Sequence, residues 1–136
     1  MMEKVSFLKQ NDSIVCVDKI LNPHLQKAVI YIKSNYHNAI TLKDIMRAVA
    51  LSHSALTKLF QKELGTTPIK YVWHYRILIA ERMLASTNLP MQNIAKRCGF
   101  QTAQHFSRKF EEVCGCTPTV FHKAAVSNKN TEREKV

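Results

Sequence analysis

Apolar residues recur every three or four positions along most of this chain, which is the spacing of one face of an α-helix. One such stretch covers residues 42–49 and the next covers residues 55–64. Ala50 lies in the short turn between them, and Ser52 is a suitable N-cap for the second stretch. Gly65 can end that second helix in the left-handed conformation. The pattern therefore predicts a short helix, a tight turn and a second helix.

The same arrangement occurs again closer to the C-terminus. Residues 45–51 correspond to residues 94–100 at an offset of 49 positions, and Gly99 provides the second turn. From Leu56, which corresponds to Phe106, the offset is 50, so the second copy has one additional residue near its turn. A short helix, a tight turn and a second helix are the signature of a helix-turn-helix unit, and the repeat predicts two of them.

A long helix is predicted between the two units. Thr67-Pro68 is a good helix start, with threonine as the N-cap and proline in the first turn. The apolar pattern then continues to about residue 86, and Pro90 forbids direct continuation. These signals predict a linker helix of roughly 19 residues, about 28 Å long.

Taken together, these elements predict an all-α fold of two helix-turn-helix subdomains joined by a long linker helix, about seven helices in total. Thr117-Pro118 starts the last of them, which we expect to end near Lys123 because the following residues are polar and lack periodicity. The predicted divisions are an N-terminal extension or linker with one weak strand pattern (1–20), the first subdomain (21–67), the linker helix (68–88), the second subdomain (89–124) and a disordered tail (125–136).

Charge narrows the choice of partner. The formal net charge is +10, from 20 Lys and Arg against 10 Asp and Glu. Such an excess favours a polyanion, with nucleic acid ahead of an anionic membrane surface. No apolar run approaches the ~18 residues of a transmembrane helix, and the first residues lack the pattern of a signal peptide. We therefore expect a cytoplasmic protein with reduced cysteines and no membrane partner.

Metal binding and catalysis find little support in the sequence. A single residue separates Cys114 from Cys116, which is short of the C-x₂₋₄-C spacing of zinc sites, and no second pair follows. Cys98 falls on an apolar helix face, as a core thiol would. No nucleophile elbow, P-loop or glycine-rich nucleotide loop is present. We expect a protein that is not an enzyme and that has no catalytic residues, no metal and no cofactor.

The ordered set of motifs resembles the DNA-binding domain of the AraC/XylS family of bacterial transcription regulators. The resemblance covers about residues 21–123, and its motifs are Leu51-Ser52, Leu56 and Phe60, Glu63-Leu64-Gly65, Thr67-Pro68, Arg76, Ile94-Ala95, Cys98-Gly99-Phe100, His105-Phe106-Ser107-Arg108-Lys109-Phe110 and Gly115-Cys116-Thr117-Pro118. It implies a sequence-specific DNA-binding regulator, and favours an activator that contacts RNA polymerase. Met46 and Ala50 depart from the family pattern, and the arginine that often follows Phe121 is missing; these departures concern local geometry.

The second helix of each unit supplies the candidate DNA contacts, because such a helix fits the major groove and its early residues touch base edges. Opposite the apolar side, at the positions that the resemblance implies, the candidate base contacts are Ser54, Thr57, Lys58, Gln61, Ala103, Gln104, His105 and Arg108. Arg108 suits guanine O6 and N7 and Gln104 suits adenine N6 and N7, so the second unit should discriminate more sharply. The candidate phosphate contacts are Lys43, Arg47, Ser52, Lys62, Lys96, Arg97 and Thr102.

The predicted linker helix also sets the spacing of the two units. Neighbouring major-groove segments on one face of double-stranded DNA are about 34 Å apart, which a helix of about 28 Å with its flanking turns can match. One monomer could then bind two unlike half-sites, and dimerisation would need a further N-terminal domain. The alternative hypothesis is a helical protein-interaction adaptor with the same basic surface, which DNA binding without sequence preference would favour.

Overall fold

Seven α-helices make up the part of the chain that the computed structural model describes, which is residues 22–134 for the backbone and residues 22–127 for the side chains. The helices are α1 (Pro23–Asn35), α2 (Leu42–Val49), α3 (His53–Leu64), α4 (Pro68–Ser86), α5 (Met91–Arg97), α6 (Ala103–Cys114) and α7 (Pro118–Glu134). No strand is present over this range, so the all-α prediction with about seven helices is confirmed there. The weak strand or linker predicted for residues 1–20 lies outside the described residues.

Side-chain caps begin most of these helices where the sequence pattern predicts. An oxygen in each cap accepts a hydrogen bond from a backbone N–H group in the first turn, and the capping residues are Asn22, Thr41, Ser52, Thr67, Thr102 and Thr117. Because those N–H groups have no acceptor within the helix, each cap stabilises its helix by about 1 kcal/mol. Helix α5 differs, since its N-cap Pro90 makes no side-chain hydrogen bond to the helix.

Two hydrophobic cores share the linker helix α4. The first core joins α1, α2 and α3 to α4, and its largest fully buried side chains include Leu25, Ile32, Ile45, Leu56, Phe60 and Tyr71. The second core joins α5, α6 and α7 to α4, and it includes Ile77, Leu84, Ile94, Phe106 and Phe110. Because α4 is buried in both cores, both helix-turn-helix units pack directly against the same helix, and neither is attached by a flexible linker alone.

The last helix is longer than the sequence pattern predicts. Helix α7 ends at Glu134, whereas we expected it to end near Lys123 and to be followed by a disordered tail from residue 125. That prediction of the helix end was wrong. The chain has no glycine or proline after Pro118, so nothing interrupts the backbone hydrogen bonds of the helix. The loss of apolar periodicity marked the end of core packing, and the helical backbone continues beyond it.

Candidate nucleic-acid interface

The turn before each candidate DNA-contacting helix contains a left-handed residue. Ala50 has φ 56° and ψ 42°, and it is the one non-glycine residue with positive φ within the described range. Gly99, at the corresponding position of the second unit, has φ 91°. Ala50, which departs from the family pattern, therefore takes the left-handed conformation that glycine takes in the second turn. Both turns redirect the chain sharply, which lets the second helix of each unit cross the first.

Helix α3 keeps one side in the core and the opposite side in solvent. Leu56 and Phe60 are 0% exposed. The predicted base contacts Ser54, Lys58 and Gln61 are exposed, and Thr57 is half-buried. The polar side of α3 is therefore available to a partner from Ser54 to Gln61.

Helix α6 repeats this division with longer polar side chains. Phe106 and Phe110 are 0% exposed, like their counterparts in α3. Gln104 and Arg108 are exposed and lie four residues apart, which places them one turn apart on the same face. Ala103 is half-buried and small, so it leaves room for a base or a methyl group beside Gln104. The amide of Gln104 and the guanidinium of Arg108 supply N–H donors, and purine bases present acceptor atoms for such donors in the major groove.

His105 is placed differently from its neighbours on α6. Its ring is half-buried and packs edge-on against Trp73 of the linker helix, with ring centroids 5.0 Å apart. It also meets Phe100, with centroids 5.6 Å apart. These contacts hold the imidazole between the candidate DNA face and the linker helix. A base contact by His105 stays a prediction, and packing is a second role that the sequence did not indicate.

All the candidate phosphate contacts have exposed side chains. Four of the five cations lie in the last turns of their helices, where a positive charge also stabilises the helix dipole: Arg47 in α2, Lys62 in α3, and Lys96 and Arg97 in α5, with Lys43 in the first turn of α2. The four positions in last turns are therefore favourable with or without DNA. Phosphate binding by all five side chains stays a prediction.

The N-termini of α3 and α6 are both capped by a hydroxyl side chain. Ser52 Oγ accepts from the N–H group of Ala55 at 3.2 Å, and Thr102 Oγ1 accepts from that of His105 at 3.0 Å. Other N–H groups of each first turn have no acceptor within the helix, so they can donate to a phosphate oxygen.

A buried arginine of the linker helix ties that helix to the loop between α1 and α2 of the first unit. Arg76 is 4% exposed, and it donates from Nε to the carbonyl oxygen of Tyr36 at 2.8 Å and from Nη2 to that of Asn38 at 2.7 Å. Its guanidinium carbon lies 4.7 Å from the centre of the Trp73 ring. Burial lowers the pKa of Arg76 below its usual value. The two carbonyl oxygens and the Trp73 ring stabilise the positive charge of its guanidinium.

From the sequence, Arg76 is predicted only as part of a family motif, and its buried hydrogen bonds to the loop are not predicted. One signal was present: an arginine stands among side chains that the helical pattern assigns to the core, such as Val72 and Tyr75. Its acceptors are 38 and 40 residues away in the sequence, in the loop between α1 and α2, and no local pattern could have named them.

The cysteines of the described region are core or half-buried thiols. Burial raises the pKa of the Cys98 thiol to about 12, so it is protonated at neutral pH. Burial also raises the pKa of Cys114, whose Sγ donates to Glu81 Oε1 at 3.5 Å. Among the described side chains, no three His, Cys, Asp or Glu residues are arranged to hold a metal ion. None of the described helices has the length and apolarity needed to cross a bilayer.

Comparison with known proteins now decides the family. A family model described as a helix-turn-helix domain matches residues 45–124. A solved transcriptional regulator from Chromobacterium violaceum, described as having an AraC-type DNA-binding domain, is 30% identical with a TM-score of 0.71, over 76% of this chain and 92% of that one. The chain belongs to the AraC/XylS family of transcription regulators.

Other members of the AraC family extend the comparison. The lactose operon transcription activator of Staphylococcus xylosus is 31% identical over 81% of this chain and 40% of its own length. The transcriptional activator NphR of a Rhodococcus species is 37% identical over 68% of this chain and 28% of its own length. This chain thus spans well under half of these curated relatives.

A solved complex gives the same fold with its ligand. The DNA-binding domain of AdpA, crystallised with a target DNA, has a TM-score of 0.74 over 80% of this chain and 97% of that one. Its sequence is 19% identical, so the likeness concerns the fold alone. The two-unit architecture is that of AraC-type DNA-binding domains, as in the Chromobacterium violaceum structure.

Proposed function

We propose that this AraC-family domain binds double-stranded DNA sequence-specifically, with α3 and α6 in two neighbouring segments of the major groove, and that it activates transcription. The observation that carries the proposal is the pair of capped helices that each bury one side completely and expose a polar opposite side. Two relatives are activators by name, which supports activation over repression. Contact with RNA polymerase, action in the bacterial cytoplasm and a monomeric domain are parts of the same proposal.

The linker helix supports simultaneous binding of two groove segments. Helix α4 has 19 residues, so it is about 28 Å long. Successive major-groove segments on one face of DNA lie about 34 Å apart, which α4 and its flanking turns can match. Burial of α4 in both cores, and the hydrogen bonds of Arg76, resist changes in this spacing. Because the two helices differ in sequence, the target should be two unlike half-sites in one orientation.

The second unit should contribute more to sequence preference. Arg108 can donate two hydrogen bonds to guanine and Gln104 can pair with adenine, each worth about 1–3 kcal/mol of discrimination against a wrong base. Ser54 and Thr57 of α3 have shorter side chains than Gln104 and Arg108. Each offers one hydroxyl, which can form a hydrogen bond with more than one kind of base. Affinity should come mainly from phosphate contacts, and the logarithm of the binding constant should fall by about 0.9 per contact for each tenfold increase in salt.

Selection from a random DNA pool tests the proposal, with Arg108→Ala and Arg97→Ala as a matched pair of arginine variants. The wild-type domain should enrich two unlike half-sites about one helical turn apart. Arg108→Ala should relax the preference at one or two positions of a single half-site, by about 1–3 kcal/mol. Arg97→Ala should weaken binding to all sequences about equally and leave the enriched sequence unchanged.

Failure to enrich any sequence would contradict the proposal. Binding that depends on salt but not on sequence would instead favour a helical protein-interaction adaptor with a basic surface. Equal relaxation by both arginine variants would contradict the assignment of Arg108 to base contact.

A further inference from the structure

An open cleft of about 690 Å³ lies between the two helix-turn-helix units, beside the linker helix. Trp73 and Arg76 of α4 form its floor. One wall is the loop between α1 and α2, from His37 to Ile40, and the other belongs to the second unit. The second wall consists of Lys96, Gly99, Phe100, Gln101 and His105. The cleft is thus built from both units and exists only because they are packed together.

The chemistry of the cleft suits an anion. Every ionisable side chain among the described residues that line it is basic: His37, Arg76, Lys96 and His105. The amides of Asn38 and Gln101 add neutral N–H donors. Arg76 uses two of its five N–H donors on backbone carbonyls. Fixed positive charge and amide donors without a lining carboxylate attract an anion into a partly enclosed space.

The position of the cleft indicates which anion it binds. On the second unit it includes His105, a candidate base contact, and Lys96, a candidate phosphate contact. On the first unit its wall leads directly into α2, which carries the candidate phosphate contact Lys43. The cleft therefore borders candidate DNA contacts of the second unit, and on the first unit it borders the start of α2. A duplex that offers adjacent major-groove segments to α3 and α6 places a minor groove, with its two phosphate backbones, between them.

We infer that this cleft binds the DNA backbone between the two half-sites, and that His37, Asn38 and Gln101 are phosphate contacts beyond those that the sequence indicates. The inference rests on the proposed function. The loop between α1 and α2 then has two roles. Its carbonyls hold Arg76, and its side chains meet the phosphates.

Neutral linkages in the DNA test this contact directly. Single methylphosphonate groups are placed, one per duplex, between the two half-sites of a selected target, and in control duplexes outside both half-sites. For the wild-type domain, one or two linkages between the half-sites should weaken binding roughly two- to fivefold, because each removes one charged partner. Linkages outside the half-sites should have no effect.

Protein variants complete the cycle. His37→Ala should weaken binding to the unmodified duplex by a similar factor, and the sensitive linkage should then cause little further loss, because its partner is already gone. Gln101→Ala should behave in the same way at a linkage of its own. His24→Ala is the matched control, since His24 is an exposed histidine at the start of α1 that does not line the cleft. It should leave both the affinity and the linkage sensitivity unchanged.

The possible outcomes distinguish failure of this inference from failure of the proposed sequence-specific DNA binding. A domain that selects no DNA overturns both. A domain that binds its selected target, but tolerates every neutral linkage between the half-sites and the His37→Ala change, overturns the inference alone. Trp73, the single tryptophan of the chain, reports on the cleft floor by its fluorescence. A saturable response to inorganic phosphate, combined with tolerance of neutral linkages, would assign the cleft to a small anion and also overturn the inference.

Discussion

The two helix-turn-helix units follow the same chain path, but the left-handed residue in each turn meets a different environment. Ala50 of the first unit is exposed at φ 56°. Gly99 of the second unit has φ 91°, and a Cβ added there would lie 2.4 Å from the carbonyl oxygen of Tyr36 and 2.9 Å from Arg76 Nε. The first turn can carry a side chain at the cost of backbone strain, whereas the second turn is pressed against the first unit and cannot.

The cores of the two units differ in a related way. The second core contains a series of touching aromatic rings that runs from Trp73 on the linker helix through Phe100, Phe106 and Phe110 to Phe121 on α7, with centroid separations of 5.2–5.8 Å. The first core is mostly aliphatic and uses the additional helix α1. The second unit is thus joined to the linker helix through ring contacts, and the loop of the first unit is joined to it through the hydrogen bonds of Arg76.

Gly99→Ala should have the largest effect on stability. The new Cβ would clash with the carbonyl oxygen of Tyr36, which cannot move without displacing the loop that holds Arg76. The φ of residue 99 is also strained for any L-residue. We expect the free energy of unfolding to fall by about 3 kcal/mol, measured by urea denaturation.

Gly65→Ala is the matched control for this change. Gly65 also has positive φ, at 68°, but a Cβ there meets no other atom within 4 Å. Its cost should be only the backbone strain of about 1–2 kcal/mol. Equal losses in the two variants would mean that the second turn is not pressed against the first unit.

Arg76→Met should follow in size. Methionine fills much of the same space, but the carbonyls of Tyr36 and Asn38 lose their donors. Unsatisfied buried acceptors are costly, while removal of a buried charge offsets part of that cost, so we expect a loss of about 2 kcal/mol in the free energy of unfolding. Arg97→Met changes an exposed arginine and should stay within about 0.5 kcal/mol of wild type. A stabilised Arg76→Met variant would show that the carbonyls find other donors.

Local features of this fold could be predicted because they depend on neighbouring residues. The caps at Ser52 and Thr102, the length of α4 and the buried sides of α3 and α6 follow from spacing and from single polar side chains. The packing of His105 on Trp73 and the cleft between the units could not be predicted in this way. Both depend on how segments more than 30 residues apart in sequence are packed together.

The end of α7 shows the opposite limit of sequence reasoning. Periodicity reports which side chains are buried, so it stopped near Lys123, where the apolar face stops. The backbone needs no buried face to remain helical when no residue interrupts it, and α7 continues to Glu134. The base and phosphate contacts are still predictions. They depend on where DNA lies against the protein, and the fold limits that position but does not determine it.

Ala50→Gly should change stability in the opposite direction to Gly99→Ala. Glycine adopts the left-handed conformation without the strain that an alanine bears there, although it also gives the unfolded chain more freedom. The first effect should exceed the second, and we expect a gain of about 0.5–1 kcal/mol in the free energy of unfolding. Because Ala50 is exposed, no packing is lost. A destabilised variant would contradict the view that the first turn is strained.

The smallest expected effect concerns the caps, which also differ between the units. Thr41 and Asp44 cap α2 reciprocally, with the Thr41 N–H group donating to Asp44 Oδ2 at 2.9 Å, whereas α5 begins at Pro90 without a side-chain cap. The hydrogen bonds from Thr41 hold the pKa of Asp44 below its usual value. The contribution of the Asp44 carboxylate to stability should therefore be fully present above the unfolded-state pKa and lost as the pH falls through the lower folded-state pKa.

Asp44→Asn keeps an acceptor oxygen but cannot ionise. The wild-type domain should be slightly more stable than this variant at pH 6–7, and the difference should shrink as the pH falls below about 4. Denaturation of both proteins at each pH measures it. Other titrating groups affect both proteins alike, so the difference isolates residue 44. A difference that stays constant between pH 7 and pH 2 would mean that the charge of Asp44 contributes nothing to the stability of the domain.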